Sequence, residues 1–424
     1  MTLWATYSPL ASKSSRLLYT IVLLAFLPRF FISPFTDTLM NPEHIHCWEQ
    51  GNVASALVSG HGFGSPFDAH AQPSAVMPPV YPLLIAGIFR LFGAFTVPSI
   101  YAVHVLDCLF SALACIPIFF IAKHSFGHRI AWWAAWGWAF SPYGIYFSAT
   151  WPWSTHLLLL FLCLLLWISQ KLESNNKIGI WIGFGVLAGC AALTEPTILL
   201  VVPILIGCAC WKLARSGKSW IVPSLIALLS ITMMVSPWII RNAIVFHQFI
   251  PMRDSMGLEL WMGNNGQQLR WTSDDLHPLH NLAEQADYDK GELAYMAEKS
   301  VQAKRYIAGH PGWYAWMCAR RMVYLWTGYW SIKPEYLTLE PMDIANIPYT
   351  TCLNLLALIG LIRLWKMQAF EAFRIFGILF LFPVLYYFTH PEIYHMRPLD
   401  PLILLLSCLA IARWVPSRRS IVAE

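Results

Sequence analysis

A chain of 424 residues that is 57% apolar and 12% charged, with a mean hydropathy of +0.52, is excluded from folding as one water-soluble domain. Its net charge of +5 does not indicate a nucleic-acid binder, because Lys and Arg fall in short clusters between apolar runs instead of along one face. The ten cysteines show no metal-finger spacing, and Cys108, Cys163 and Cys408 among others lie inside apolar runs, which argues against a disulfide framework.

The first apolar segment, 17–36, follows Lys13 and Arg16 and has no small-residue cleavage site after it, so it reads as a retained signal anchor. Between Phe35 and Arg90 there is no Lys or Arg, yet Asp37, Glu43, His44, His46 and Glu49 are present; this pattern predicts an extracytoplasmic active-site loop over 37–97. Within it, Trp48 to Gly60 places Val53, Ala56, Leu57 and Gly60 on one side at helical spacing, an amphipathic helix with Glu49 near its start. Glu49 reads either as a functional carboxylate or as a charge favoured by the helix dipole. His44 and His46 read as a metal pair or, with no further ligand group at fixed spacing, as hydrated loop histidines.

The block 79–93 is apolar but short and predicts a juxtamembrane helix. Further spans are predicted at 98–122, 129–150, 152–170, 178–194, 196–213, 219–240, 346–364, 374–389 and 398–414, which makes ten with the first. With this count the basic clusters Lys13/Arg16, Lys123/Arg129, Lys171/Lys177, Lys212/Arg215/Lys218, Arg363/Lys366/Arg374 and Arg413/Arg418/Arg419 all share one side, and both termini are cytoplasmic. The loops 37–97 and 241–345 then lie outside. The second carries another juxtamembrane helix, 312–330, whose Arg320 and Arg321 keep it from crossing.

The run WEQGNVASALVSGHGFGSPF, followed by PSAVMPPVYPLLIAGIFRLFG, resembles the first periplasmic loop of bacterial GT-C glycosyltransferases of the protein-mannosyltransferase type, glycosyltransferase family 39 and its relatives. SPWIIRN at 236–242 resembles the Pro-Trp-x-x-Arg-Asn exit of a middle span of that family, and YHMRPLDPLI at 394–403 its Arg-x-Pro-x-x-Pro lead-in to the last span. The resemblance implies one all-α polytopic domain over 1–424, with about ten transmembrane helices (range 9–12) and terminal spans in 346–424. It implies a multi-pass protein of the bacterial inner membrane that transfers a hexosyl or pentosyl group from a polyprenyl-phosphate sugar to a lipid, glycan or protein acceptor at the periplasmic face. Membrane lipids are the other partners, and nucleic acid is not one.

Such a transfer, usually inverting, requires a base on the acceptor hydroxyl and charge stabilisation for the departing phosphate. Glu49 matches the acidic position of the family loop and is the first choice of base, with Glu43 in reserve. Arg241, Arg397, Arg320 and Arg321 are the candidates for phosphate, although interfacial snorkelling also explains boundary arginines. Tyr81, His46 and Trp48 are candidates for a lipid or acceptor groove. Some relatives use a divalent ion, which leaves Mg or Mn open as a cofactor and its ligands unassigned. Ser154 stands where relatives commonly carry a Glu, and Met77 where several lipid-A-modifying relatives carry a Lys. The rival reading is a transporter, flippase or non-catalytic binder of lipid-linked sugars, for which Asp107 and Arg29 are the ionisable groups inside spans.

Overall fold

The structure is a computed structural model and describes residues 9–36, 48–67, 72–266, 276–339 and 342–412. The described residues are largely helical, as a chain in lipid must be, because no water is available there to satisfy backbone N–H and C=O groups. Helix α1 is Pro9–Ile32, α2 Glu49–Val58, α3 Val80–Phe92, α4 Val97–Leu113, α5 Cys115–Phe126, α6 His128–Ala139, α7 Pro142–Thr150, α8 Thr155–Leu172 and α9 Ile178–Ala192. Then follow α10 Val202–Arg215, α11 Ile221–Phe246, α12 Met256–Gly263, α13 Leu282–Tyr288, α14 Glu292–Gly309, α15 Pro311–Thr327 and α16 Pro334–Leu339. The last four are α17 Asp343–Met367, α18 Ala369–Leu381, α19 Val384–Phe388 and α20 Asp400–Ile411.

Each of the ten expected spans contains helix, but among the described residues only seven stretches are both long and apolar enough to cross: Arg16–Phe35, Val97–Phe126, Thr155–Leu172, Pro196–Arg215, Ile221–Phe246, Asp343–Met367 and Ala369–Phe388. The other three fall short for separate reasons. The expected 129–150 is two half-helices, because Pro142 bars the residue before it from helical geometry and Ser141 instead caps α7 through the Gly144 N–H. Helix α9 has 15 residues, about 22 Å at 1.5 Å per residue. Helix α20 has 12, and residues beyond 412 lie outside the described ones.

Chain direction alternates, so the segments collect at two ends. One end gathers basic residues of several clusters, Lys171, Lys212, Lys218 and Arg374 among them, around the ends of α5, α8, α10 and α18, as the positive-inside pattern predicts for a shared side. The outer faces of α11 and α17 expose Leu225, Leu228, Leu229, Met233, Leu355, Leu358 and Ile362, the surface that lipid would cover. Close helix contact relies on two glycines. A Cβ on Gly185 of α9 would lie 2.5 Å from the Ala227 carbonyl oxygen of α11, and one on Gly360 of α17 would lie 2.0 Å from that of Leu406 in α20.

The basic end is locked by a buried polar cluster. Arg374 of α18, fully buried, pairs with Glu371 at 2.6 Å and with Glu173 at the end of α8. Glu371 also accepts from Ser125 of α5 and Gln170 of α8, both at 2.8 Å. At the opposite end a layer outside the bundle is built from α2, α12, α13 and α14 around Val53, Phe67, Met77, Leu258, Tyr288 and Met296. Burial of each such side chain contributes about 1.5–3 kcal/mol. Glu292 of α14 accepts from the Ala75 N–H at 2.7 Å and from the Tyr288 hydroxyl, and the Asp254 N–H donates to the Ala75 carbonyl at 3.3 Å, so residues 72–77 are held between α12 and α14. The buried Asp254 carboxyl lies against Glu292, and burial first, then that neighbouring carboxylate, push it up to about 8.

Two outcomes follow from this packing. Arg374→Ala leaves two buried carboxylates without their cation and is expected to lower stability by about 3–5 kcal/mol in detergent unfolding; a loss below about 1 kcal/mol contradicts the cluster's role. Asp254 ionises near 3.8 when unfolded and near 8 when folded, so the folded state holds the extra proton between those limits. Stability therefore falls as pH rises through that window. Asp254→Asn should flatten the slope of unfolding midpoint against pH from 5 to 9, and an unchanged slope removes the assignment.

Candidate functional site

At the end opposite the basic clusters, several segments converge. Helix α2 begins at Glu49, whose carboxylate is 3.0 Å from His277 Nε2 in the turn before α13. Both side chains are about one-seventh exposed, so the pair is sheltered without being sealed. On its other side α2 is pinned to the start of α8: Gln50 donates to Ser154 Oγ at 3.2 Å, and the Ser154 N–H donates back to Gln50 Oε1 at 3.3 Å. The position where relatives commonly carry an acid is thus an anchor for the residue next to Glu49.

Arg253 stands close by in the loop after α11. Its guanidinium meets Glu195 in the turn after α9 and Glu259 of α12, each at 3.4 Å, and its Nε donates to Ser255 at 2.8 Å. Burial works against the Arg253 charge, but Glu195, Glu259, Glu49 and Tyr386 outweigh it, so its pKa lies above the ordinary guanidinium value. Burial is also the largest influence on Glu195 and raises its pKa, with Arg253 opposing and Glu259 adding to the rise. Tyr386 of α19 reaches the same cluster, donating to Thr197 at 3.3 Å and stacking on His395 at 4.0 Å. Such an arrangement offers one sheltered carboxylate with a hydrogen-bond donor fixed to it, and one cation whose fork is only partly occupied by long contacts.

The residues expected from the sequence are dispersed around this centre. Glu43 and His46 lie outside the described residues. Trp48 is buried, 6% exposed, against Phe89 of α3. Tyr81, expected in a groove, is instead fully buried, and its hydroxyl donates to Asp107 at 2.7 Å, tying α3 to α4. Arg241 donates to the carbonyls of Ser74 at 2.7 Å and Phe63 at 3.0 Å and lies over the Trp238 ring. Its motif partners act alongside: Trp238 donates to the Met252 carbonyl at 2.6 Å and Asn242 to that of Ile250 at 3.2 Å. The motif therefore fixes the loop that delivers Arg253. Arg321 is buried on the carbonyls of Gly263 and Tyr387 and on Asn264. Arg397 pairs with Asp400 at 3.3 Å over Tyr143, beside a small cavity lined by Ser141, Tyr349 and Asn354. Arg320 is half-buried over the Tyr324 ring. Arg29, on which a transport reading drew, is satisfied by Ser111 and the carbonyls of Ala25, Trp138 and Ala139, so it ties helices together within the bundle.

Glu195, Arg253, Glu259 and His277 were not singled out by the sequence. A signal existed for Glu195, the sole charged residue between Lys177 and Lys212, but Arg253 and His277 are ordinary loop residues until the chain folds. Among the described residues no three His, Cys, Asp or Glu side chains come together as a metal-ligand set.

Residues 76–240 match the model of the dolichyl-phosphate-mannose-protein mannosyltransferase family. Three crystal structures of the oligosaccharyltransferase of Archaeoglobus fulgidus share the fold. The apo form has a TM-score of 0.56 at 10% identity, covering 93% of this chain and 50% of that one. The complex with Zn and sulfate gives 0.54 at 11%, covering 93% and 49%. The form tethered to an acceptor peptide containing the NVT sequon gives 0.55 at 12%, also covering 93% and 49%. The chain spans about half the length of these solved proteins. By sequence, no curated protein matches it. The chain is a multi-pass membrane protein with the GT-C fold, and its residues 76–240 match the mannosyltransferase family model.

Proposed function

We propose that this protein is a glycosyltransferase that moves a hexosyl or pentosyl group from a polyprenyl-phosphate-linked donor to a hydroxyl of a lipid, glycan or protein acceptor. The observation that carries the reading is the convergence of Glu49, His277 and Arg253 at one end of a GT-C bundle. In the reaction we infer, Glu49 removes the acceptor's hydroxyl proton while that oxygen attacks the anomeric carbon. The bond from the anomeric carbon to the phosphate oxygen breaks, the phosphate leaves with the electron pair, and the configuration inverts. The proton remains on Glu49. The growing charge on the leaving phosphate is met by Arg253, which in this reading takes the place of Arg241, tied to backbone carbonyls, and of the buried Arg321 and Arg397, with Arg320 as an outer contact. The separation of the basic clusters from the site supports a periplasmic orientation in a bacterial inner membrane. A cluster at one edge of the bundle, with Arg29 satisfied by neighbouring helices, favours chemistry at one face over passage through the membrane.

Purified protein should transfer radiolabelled sugar from a member of a panel of polyprenyl-phosphate donors. Glu49→Gln, at matched folding, should lower turnover about a thousandfold, the scale of losing a general base. Turnover that survives the change moves the base elsewhere, with Glu43 next to be tested. Arg253→Lys keeps the charge but loses the fork, and should lower kcat about a hundredfold. Full activity in that variant would take Arg253 out of the reaction.

A further inference from the structure

The partner of Glu49 has a geometry that fixes its own proton. His277 Nδ1 accepts a hydrogen bond from the Leu279 backbone N–H at 3.2 Å. An imidazole nitrogen that accepts carries a lone pair, so the ring's proton is on Nε2, the atom 3.0 Å from Glu49 Oε1. Protonating His277 would set a second N–H against that of Leu279. The ring is also held in plane: the N–H groups of His280 and Asn281 both donate to the His277 carbonyl at 3.0 Å, and the Phe67 ring packs perpendicular to the imidazole, 5.0 Å between centroids. Both nitrogens are thus committed, one receiving and one giving.

We propose that His277 is a positioning residue for Glu49: locked as the Nε2–H tautomer by the Leu279 N–H, it donates to Oε1 and so directs the proton of the acceptor hydroxyl to Oε2. This rests on the reading of Glu49 as the base. The arrangement differs from a nucleophile–His–carboxylate triad, in which the imidazole itself takes the proton. Here the backbone donor blocks that route, and the proton stops on the carboxylate. Among the described residues, the titratable groups facing Glu49 are His277 and Arg253, and His277 also faces His280. Glu195 and Glu259 act on the pair through Arg253.

The test compares wild type, His277→Phe and His277→Gln, the last keeping an amide N–H where Nε2 was. Difference infrared spectra against Glu49→Gln in the matching background read the Glu49 carboxyl directly and need no turnover. His277→Phe, which has no N–H to give, should shift the Glu49 carboxylate stretching band away from its wild-type position. In the same variant kcat should fall about a hundredfold with KM little changed. His277→Gln should restore most of both. A carboxylate band in His277→Phe equal to that of wild type, or a Gln variant that behaves like Phe, overturns the proposal, and His277→Leu replaces Phe if that variant does not fold. If Glu49→Gln retains transfer, the assignment of the base fails instead, and the infrared comparison still decides the contact by the same criterion.

Discussion

The cost of leaving a charge or a backbone dipole unsatisfied in an apolar slab governs this molecule. A charged side chain within the bundle must meet a partner there or reach an end. Arg29 meets that demand with three carbonyls and a serine, and Tyr81 and Asp107 meet it with each other. The remainder migrates to the two ends, where it separates into different kinds of chemistry. At the basic end, Arg374, Glu371, Glu173, Gln170 and Ser125 close on one another. At the other end, Glu49 and Arg253 remain partly accessible.

That second end is assembled by intermediaries. The conspicuous polar residues of the motifs bind backbone carbonyls, and by doing so they hold less conspicuous residues in place. Trp238 and Asn242 grip 250–252, and Arg253 follows directly. Gln50 and Ser154 pin the helix that begins with Glu49. Arg321 fastens the end of α12, the helix that carries Glu259, to α19, which carries Tyr386. A substitution in any of these would be felt at the centre as displacement, not as a missing functional group.

Legibility in the sequence followed the range of the interaction. Apolar runs and the short amphipathic helices α2 and α3 are local patterns, and both helices lie where the residues foretold, with Glu49 in the first turn. The split at Ser141-Pro142 is equally local, though the hydropathy of 129–150 conceals it. Pairings such as Arg253 with Glu195 or His277 with Glu49 join distant segments and leave no periodic trace. Boundary arginines are ambiguous in a sequence for a physical reason: position in the chain says that an Arg is near the membrane edge, not whether carbonyls already occupy its five donors.

Arg241 also closes a neck. Its guanidinium takes the carbonyls of both Phe63 and Ser74, the Ser74 N–H donates to the Phe63 carbonyl at 3.1 Å, and a bridge pairs Gly64 with Pro73. The excursion between them reaches the site: the Pro66 carbonyl accepts from Asn52 of α2 at 2.8 Å, and Phe67 packs on His277. Closing the neck therefore sets where these residues meet the helix that presents Glu49, so Arg241 acts on the site as a clasp at one remove from the reacting groups.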